Sequence, residues 1–326
     1  ESAPLKTIKY ARDKLRKGYP DWLLLKKGDT FNEGCYIRRS GKSSTEPLVI
    51  TSYGSTGARP ILNAMNLGGK YIRVIGLHMK GPGATATTNK SKGVEFEYNG
   101  TSEDILLENL LIEGEQVGID ARWVKNIKIR RCVIIDSQKF GMFTWQVDGM
   151  LVEDCVWDNN GRTGTYEHDI YHSGGKNTTY KGNIFSRGGN FGLKLRANTE
   201  NFKVEGNLFA QNRNDLNIHL DNDNVGTTSW SNSSFEVVNN VFTETGRTDQ
   251  QMAIIVAHAK KGLIKDNLIA QSNHTSGVGI YLAPGWQKET CLTDLKIVQN
   301  TVANFEGRAF VYPAQATSVS NVLIER

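Results

Sequence analysis

Short alternations of polar and apolar residues recur along this chain with one pattern: polar, apolar, polar, then Asn and an apolar pair. The phrases are ENLLI at 108–112, GNIF at 182–185, GNLF at 206–209, NNVF at 239–242, DNLI at 266–269 and QNTV at 299–302. Each is too short for a helix, and a period of two belongs to a strand with one buried face. Their asparagines are Asn109, Asn183, Asn207, Asn240, Asn267 and Asn300, and RCVII and EDCVW carry the register on through Cys132 and Cys155. Successive members of this column lie 23, 23, 28, 24, 33, 27 and 33 residues apart.

Self-similarity at that period is the mark of a solenoid. One coil of three short strands and their turns fits it, with loop insertions in the longer intervals. The chain is therefore predicted to be all-β, a right-handed parallel β-helix over residues 1–326. Residues 1–45 form the N-terminal cap and first strands, 46–310 the coils and 311–326 the C-terminal end. Identical side chains stack about 4.8 Å apart in such a fold, so the Asn amides can form an internal ladder. Cys132 and Cys155 replace two rungs, as stacked buried thiols rather than as a disulfide. An inward apolar residue precedes each rung by three: Leu106, Ile129, Val152, Val204, Val237, Ile264 and Ile297, with Tyr180 in one coil. Gly76 is placed in the Asn column. Leu5, Ile8, Ala11 and Leu15 have helical spacing, so a short amphipathic helix within 5–17 is expected to cap the first coil. Repeat character is weak from Phe310 onward, where a ragged end is expected.

Composition agrees with this reading. Glycine is abundant (33) and proline scarce (7), as many short strands and turns require. No apolar run approaches the roughly 18 residues of a membrane span. The net charge of +5 is mild and no basic run occurs, which argues against nucleic acid. Four cysteines without a CxxC pair give neither a disulfide framework nor a zinc site. A start at Glu1 rather than Met suggests a trimmed or processed chain.

A second strand column precedes the Asn column and reads GIDARW, GMFTWQ, DIYHSG, GLKLRA, LNIHLD, AIIVAH and GIYLAP. With Ile119, Met142, Ile170, Leu193 and Ile280 inward, alternation turns Arg122, Trp145, Tyr171, Lys194, Arg196, Asn217, His219 and Tyr281 outward. Cationic and hydrogen-bonding groups in the middle coils, flanked by Trp145 and Tyr281, suit a sugar chain. His168 and Asp169 lie at the turn entering the strand and Arg187 at the next turn, while His172 is read as an interior histidine. Asp215, Asp221 and Asp223 are the one set suited to calcium, against their reading as a solvated Asp/Asn turn. No other cofactor signature appears.

The phrase HDIYHSGGKNTTYKGNIFSRGGNFGLKLRAN resembles the coils of secreted β-helix proteins of the pectate-lyase-like superfamily. That superfamily includes alginate and other uronate lyases, mannuronan epimerases, some glycosidases and phage depolymerases. The resemblance covers most of 45–310 and implies an extracellular or periplasmic enzyme, monomeric, acting on an acidic polysaccharide. The epimerase DPHD motif is absent, and EHD at 167–169 echoes it only in part. Related lyases use a Lys or Arg base, sometimes with Tyr, and some use calcium. Carried onto this chain, that implies Arg196 on the uronate carboxylate, Lys194 as base and Tyr171 as acid or the two with roles exchanged, His219 as another neutraliser or base, and His168 at the groove edge as a lesser candidate. Two other readings stay open at this level. One is a hydrolase built on Asp169 and Asp215 or an epimerase sharing the proton abstraction. The other is a solenoid that binds glycans without turning them over.

Overall fold

The computed structural model describes residues 4–83, 90–162, 166–219, 234–244, 252–257, 259–272, 277–283, 291–311 and 318–325. Strand pairing within them is parallel throughout, each strand meeting its counterpart one coil away. Three strand columns wind into a right-handed parallel β-helix. The first coil begins at Trp22–Lys26, which pairs with Leu48–Tyr53. The capping helix is Ile8–Asp13, shorter than the apolar spacing suggests, with Thr7 Oγ1 accepting the Tyr10 N–H at 3.1 Å. The repeat also persists past Phe310: Ser318–Glu325 pairs in register with Cys291–Val298, so that end is a regular strand.

The core is a set of vertical stacks. Phe185, Phe209 and Phe242 lie face to face with ring centroids 4.7 and 4.8 Å apart, the strand spacing itself. Beside them runs the asparagine ladder. Each Nδ2 donates to the Oδ1 of the next rung at 2.9–3.0 Å from Asn183 through Asn207, Asn240 and Asn267 to Asn300. Cys132 and Cys155 are free thiols, and the Cys132 N–H donates to Cys155 Sγ at 3.4 Å, where an Asn oxygen would otherwise sit.

The first rungs differ from the sequence expectation by one residue. Leu110 and Leu77, both fully buried, occupy the Asn column, because Leu111 pairs with Val133 and His78 with Leu111. Leu107, not Leu106, is the inward residue below. Asn109 and Gly76 belong to the preceding column, whose backbone has positive φ in nine successive coils: Gly76, Asn109, Arg131, Asp154, Gly182, Gly206, Asn239, Asp266 and Gln299. Asn and Gly are favoured there because they adopt the left-handed conformation at least cost. An Asn chosen for φ is easily mistaken for an Asn chosen for the ladder.

One buried group in the early coils conflicts with its surroundings. Glu115 is completely buried, at the corner that Ser137 and Asn160 occupy in the next two coils. Neither oxygen makes a well-formed hydrogen bond among the described residues. Burial pushes its carboxyl up to about 7, and the Ser91 hydroxyl offsets this only in part. The fold thus holds a proton that the unfolded chain releases near its ordinary value, and stability falls as pH rises between about 4.5 and 7. Glu115→Gln is expected to remove that loss, on the order of 3 kcal/mol at pH 8. Urea unfolding at pH 5 and pH 8 checks it: the variant should gain only at the higher pH.

Candidate functional site

Register fixes the composition of one outer face. Asp120 pairs with Phe143, Phe143 with Tyr171, Tyr171 with Lys194, Lys194 with Asn217 and Asn217 with Ile255. One position further along, Arg122, Trp145, Ser173 and Arg196 form a second outward column, which His219 continues. Tyr171, Lys194, Arg196, Asn217 and His219 therefore come together from three coils, as alternation predicts.

A third column on this face breaks the alternation. Each strand enters through a corner with two successive inward residues: Gly141 and Met142, Asp169 and Ile170, Gly192 and Leu193, Asp215 and Leu216. A Cβ on Gly141 would lie 2.9 Å from Asn160 Nδ2, so the first of each pair points into the turn. The residue before it then faces outward, which brings Phe140, His168 and Phe191 to the groove. Phe140 packs against Phe143 and Tyr171 at 5.7 Å each. Phe191 lies 5.3 Å below the Lys194 ammonium. Strict period-two reading misses Phe140 and Phe191; the Gly one residue after each was the available signal.

The same corner reverses the reading of the two aspartates. Asp169 and Asp215 are fully buried, their Oδ1 atoms accepting from Asn160 and Asn212 Nδ2 at 2.9 Å each. Burial holds the Asp169 carboxyl well above the usual carboxylate range. Both side chains point into turns, so they do not form the outward carboxylate pair that the hydrolytic and calcium readings placed on this face. Asp120 is likewise occupied, by Lys92 and Arg122 at 2.7 and 2.8 Å. Asp221 and Asp223 lie outside the described residues. The described donors do not fit calcium, which takes about six to eight oxygens, and no described group of three or more His, Cys, Asp or Glu is placed to hold a metal. Arg187 is also taken: its guanidinium pairs with Asp158 at the turn, with Nε 2.7 Å from Oδ1. His172 is interior, as expected, with Nδ1 2.9 Å from the Tyr180 hydroxyl.

The electrostatic centre is Lys194. Burial, then the neighbouring Arg196, lowers its ammonium to about 8. His168 is almost wholly buried rather than at the groove edge, and its Nδ1 accepts the Phe191 N–H at 3.3 Å. Burial, with Lys194 and Arg196 adding to it, drives its pKa well below the ordinary histidine value, so the ring is neutral. It stacks on Tyr171 at 5.6 Å and 9°, while Phe143 stacks on Tyr171 at 5.5 Å and 3°. Tyr171 is thus stacked with two flat rings beside a lysine whose ammonium is lowered to about 8. Asn217 Oδ1 is buried next to Lys194 without a hydrogen-bond partner among the described residues. Trp145 is 42% exposed at one side, and Tyr281, half-buried against Ile255, Phe191 and Ala257, closes the other.

Three solved structures share the fold of this chain. The chain is similar to a mannuronic-acid-specific polysaccharide family 6 lyase from human gut microbiota, with TM-score 0.68, 14% identity and coverage of 97% of this chain and 80% of that one. It is similar to an alginate lyase from Paenibacillus sp. str. FPU-7, with TM-score 0.56, 13% identity and coverage of 97% and 96%. It is also similar to a GH136 lacto-N-biosidase from Eubacterium ramulus, with TM-score 0.57, 13% identity, all of this chain and 65% of that one. At such identity the likeness shows the fold, and the fold supports more than one chemistry. The chain spans nearly all of the alginate lyase but less than two thirds of the lacto-N-biosidase. No curated protein matches the sequence. The family model described as the right handed beta helix region matches residues 76–242, more than half of the chain and the coils that carry the groove, and the chain belongs to that family.

Proposed function

We propose that this protein is a polysaccharide lyase that cleaves a uronate-containing chain by β-elimination in the groove centred on Lys194. The observation that carries this reading is an outward lysine, lowered to about 8, in register with Tyr171 and two residues from Arg196. Elimination needs the weakly acidic C5 proton removed, the carboxylate charge countered as the enolate forms, and the leaving oxygen protonated. Neutral Lys194 takes the C5 proton, and Arg196 faces the carboxylate, where a planar fork can bind both oxygens. The electron pair released at C5 forms the C4–C5 double bond as the C4–oxygen bond breaks, and Tyr171 gives its proton to the departing oxygen. His168, held neutral, keeps extra positive charge away from Lys194 and packs Tyr171 in place. His219 follows Asn217 on the strand above and supports the carboxylate side.

The interior placement of Asp169 and Asp215 removes the carboxylate pair on which a hydrolytic reading rested. The lyase names among the structural relatives support elimination only as far as a shared scaffold can. With this reading goes action outside the cytoplasm, where such polymers lie, by a monomer. The test is incubation with alginate, pectate and glucuronan while following the ultraviolet absorbance of the unsaturated uronate end. A rise with one of them is expected. Silence with all three, together with reducing ends released from a neutral glycan, would instead identify a hydrolase.

A further inference from the structure

The groove continues below Lys194 into surroundings of different chemistry. Three strand steps separate Asp120 from Lys194, about 14 Å along the helix axis. Here Arg122 lies between the rings of Tyr98 and Phe143, 4.6 and 4.7 Å from their centroids. Asp120 holds its Nε and Nη2 at 2.8 and 3.1 Å, and no hydrogen bond engages Nη1 among the described residues. Lys92 meets the same carboxylate at 2.7 Å, and the Tyr98 hydroxyl, with one proton to give, lies 2.7 Å from Glu95 Oε1 and 2.9 Å from Asp120 Oδ2, so two cations and two carboxylates cancel. Around this neutral hub stand three exposed aromatic rings: Tyr98 (45%), Trp123 (42%) and Trp145 (42%).

Trp123 and Tyr71 are the aromatic residues with a left-handed backbone among the described residues. At Trp123 φ is 53°, in the left-handed region that a bulky side chain avoids. The next two coils place Gln146 and Gly174 at that position, also with positive φ. The turn therefore demands the conformation, and tryptophan is an unfavourable residue to supply it. Its ring is half in solvent and its aromatic contact is an edge-on approach to Tyr98 at 6.1 Å and 68°. The turn, not burial in the core, therefore places this ring beside Tyr98 at the surface.

We infer that Trp123, Trp145 and Tyr98 around Arg122 form a distal subsite for a remote sugar of the same polysaccharide chain, held by ring stacking rather than by charge. The inference rests on the groove being a glycan site. It fixes the direction of the bound chain, along the helix axis toward the N-terminal coils. A disaccharide at Lys194 does not reach the subsite, whereas a chain several sugars long does. Affinity therefore steps up with length, and the added increment resists salt because the hub is neutral.

The test uses the full chain carrying Lys194→Ala, so that substrate survives, titrated calorimetrically with oligouronates from disaccharide to octasaccharide. A step in affinity of about tenfold is expected once the chain spans the groove. Adding Trp123→Gly should abolish the step without lowering the Tm, since glycine suits the backbone there. A Trp123 of merely structural value would give the opposite pair of results. Affinity independent of length, or a step that survives Trp123→Gly, overturns the subsite even where the Lys194 form turns substrate over. A length step in a protein that eliminates no uronate overturns the lyase reading alone.

Discussion

Lys194→Ala is expected to lower kcat on the uronate polymer about a thousandfold, within the range lost when a positioned base is removed. The variant should still bind the glycan, because the aromatic rings and Arg196 remain. The wild-type pH profile carries the same signature. Lys194 must be neutral to accept a proton, so kcat/KM should rise tenfold per pH unit below about 8 and level off above it. Lys194→Arg preserves charge and reach but cannot deprotonate, and should be as inactive as the alanine variant. Arg196 is the second cause of the lowered value, so Arg196→Ala should move the rising limb to higher pH as well as weaken binding. Stability follows the same proton. Below about 8 the ammonium is charged in both folded and unfolded chains. Between about 8 and 10.5 the fold has released a proton that the unfolded chain keeps, so stability rises with pH in that window. An alanine variant with full turnover would end the assignment of Lys194 as base.

Asn207→Ala should carry the largest structural cost. Asn207 Oδ1 accepts from the backbone N–H and the Nδ2 of Asn183 at 2.9 and 3.0 Å, and its Nδ2 donates to Tyr180 O and Asn240 Oδ1 at 3.0 Å each. Alanine leaves these partners in a dry interior, where an unpaired polar group costs about 1–3 kcal/mol. A loss on the order of 3 kcal/mol is expected for the site as a whole. Asn300, the last rung and only part-buried, gives the comparison: Asn300→Ala should cost about 1 kcal/mol. Because coils of a solenoid can open locally, amide hydrogen exchange is the better readout. The Asn183 and Asn207 amides should lose protection in Asn207→Ala, while amides of the first coils keep theirs. Uniform loss along the chain would show that the ladder acts as one cooperative unit.

These two predictions rest on parts of the molecule that differ in how directly residue order encodes them. Strand alternation is local, so each buried residue is set by its neighbours, and the ladder from Cys132 to Asn300 follows from matching phrases coil by coil. The first rungs slipped because Asn serves two purposes here. At Asn109 it satisfies a positive φ, and at Asn183 it satisfies stacked amides; only the pairing of Leu111 with Val133 separates the two.

Residue order alone specifies the solenoid, the column of outward residues and the meeting of Tyr171 with Lys194, since a period-two strand and a fixed coil register suffice for these. The tertiary structure decided what alternation cannot carry. A corner with two successive inward residues turned Asp169 and Asp215 into interior groups and set Phe140, His168 and Phe191 against Tyr171 and Lys194. Whether Lys194 is an ordinary ammonium or a base depends on how much water neighbouring coils exclude from it. Desolvation is a property of three-dimensional packing, and residue order along one strand does not contain it.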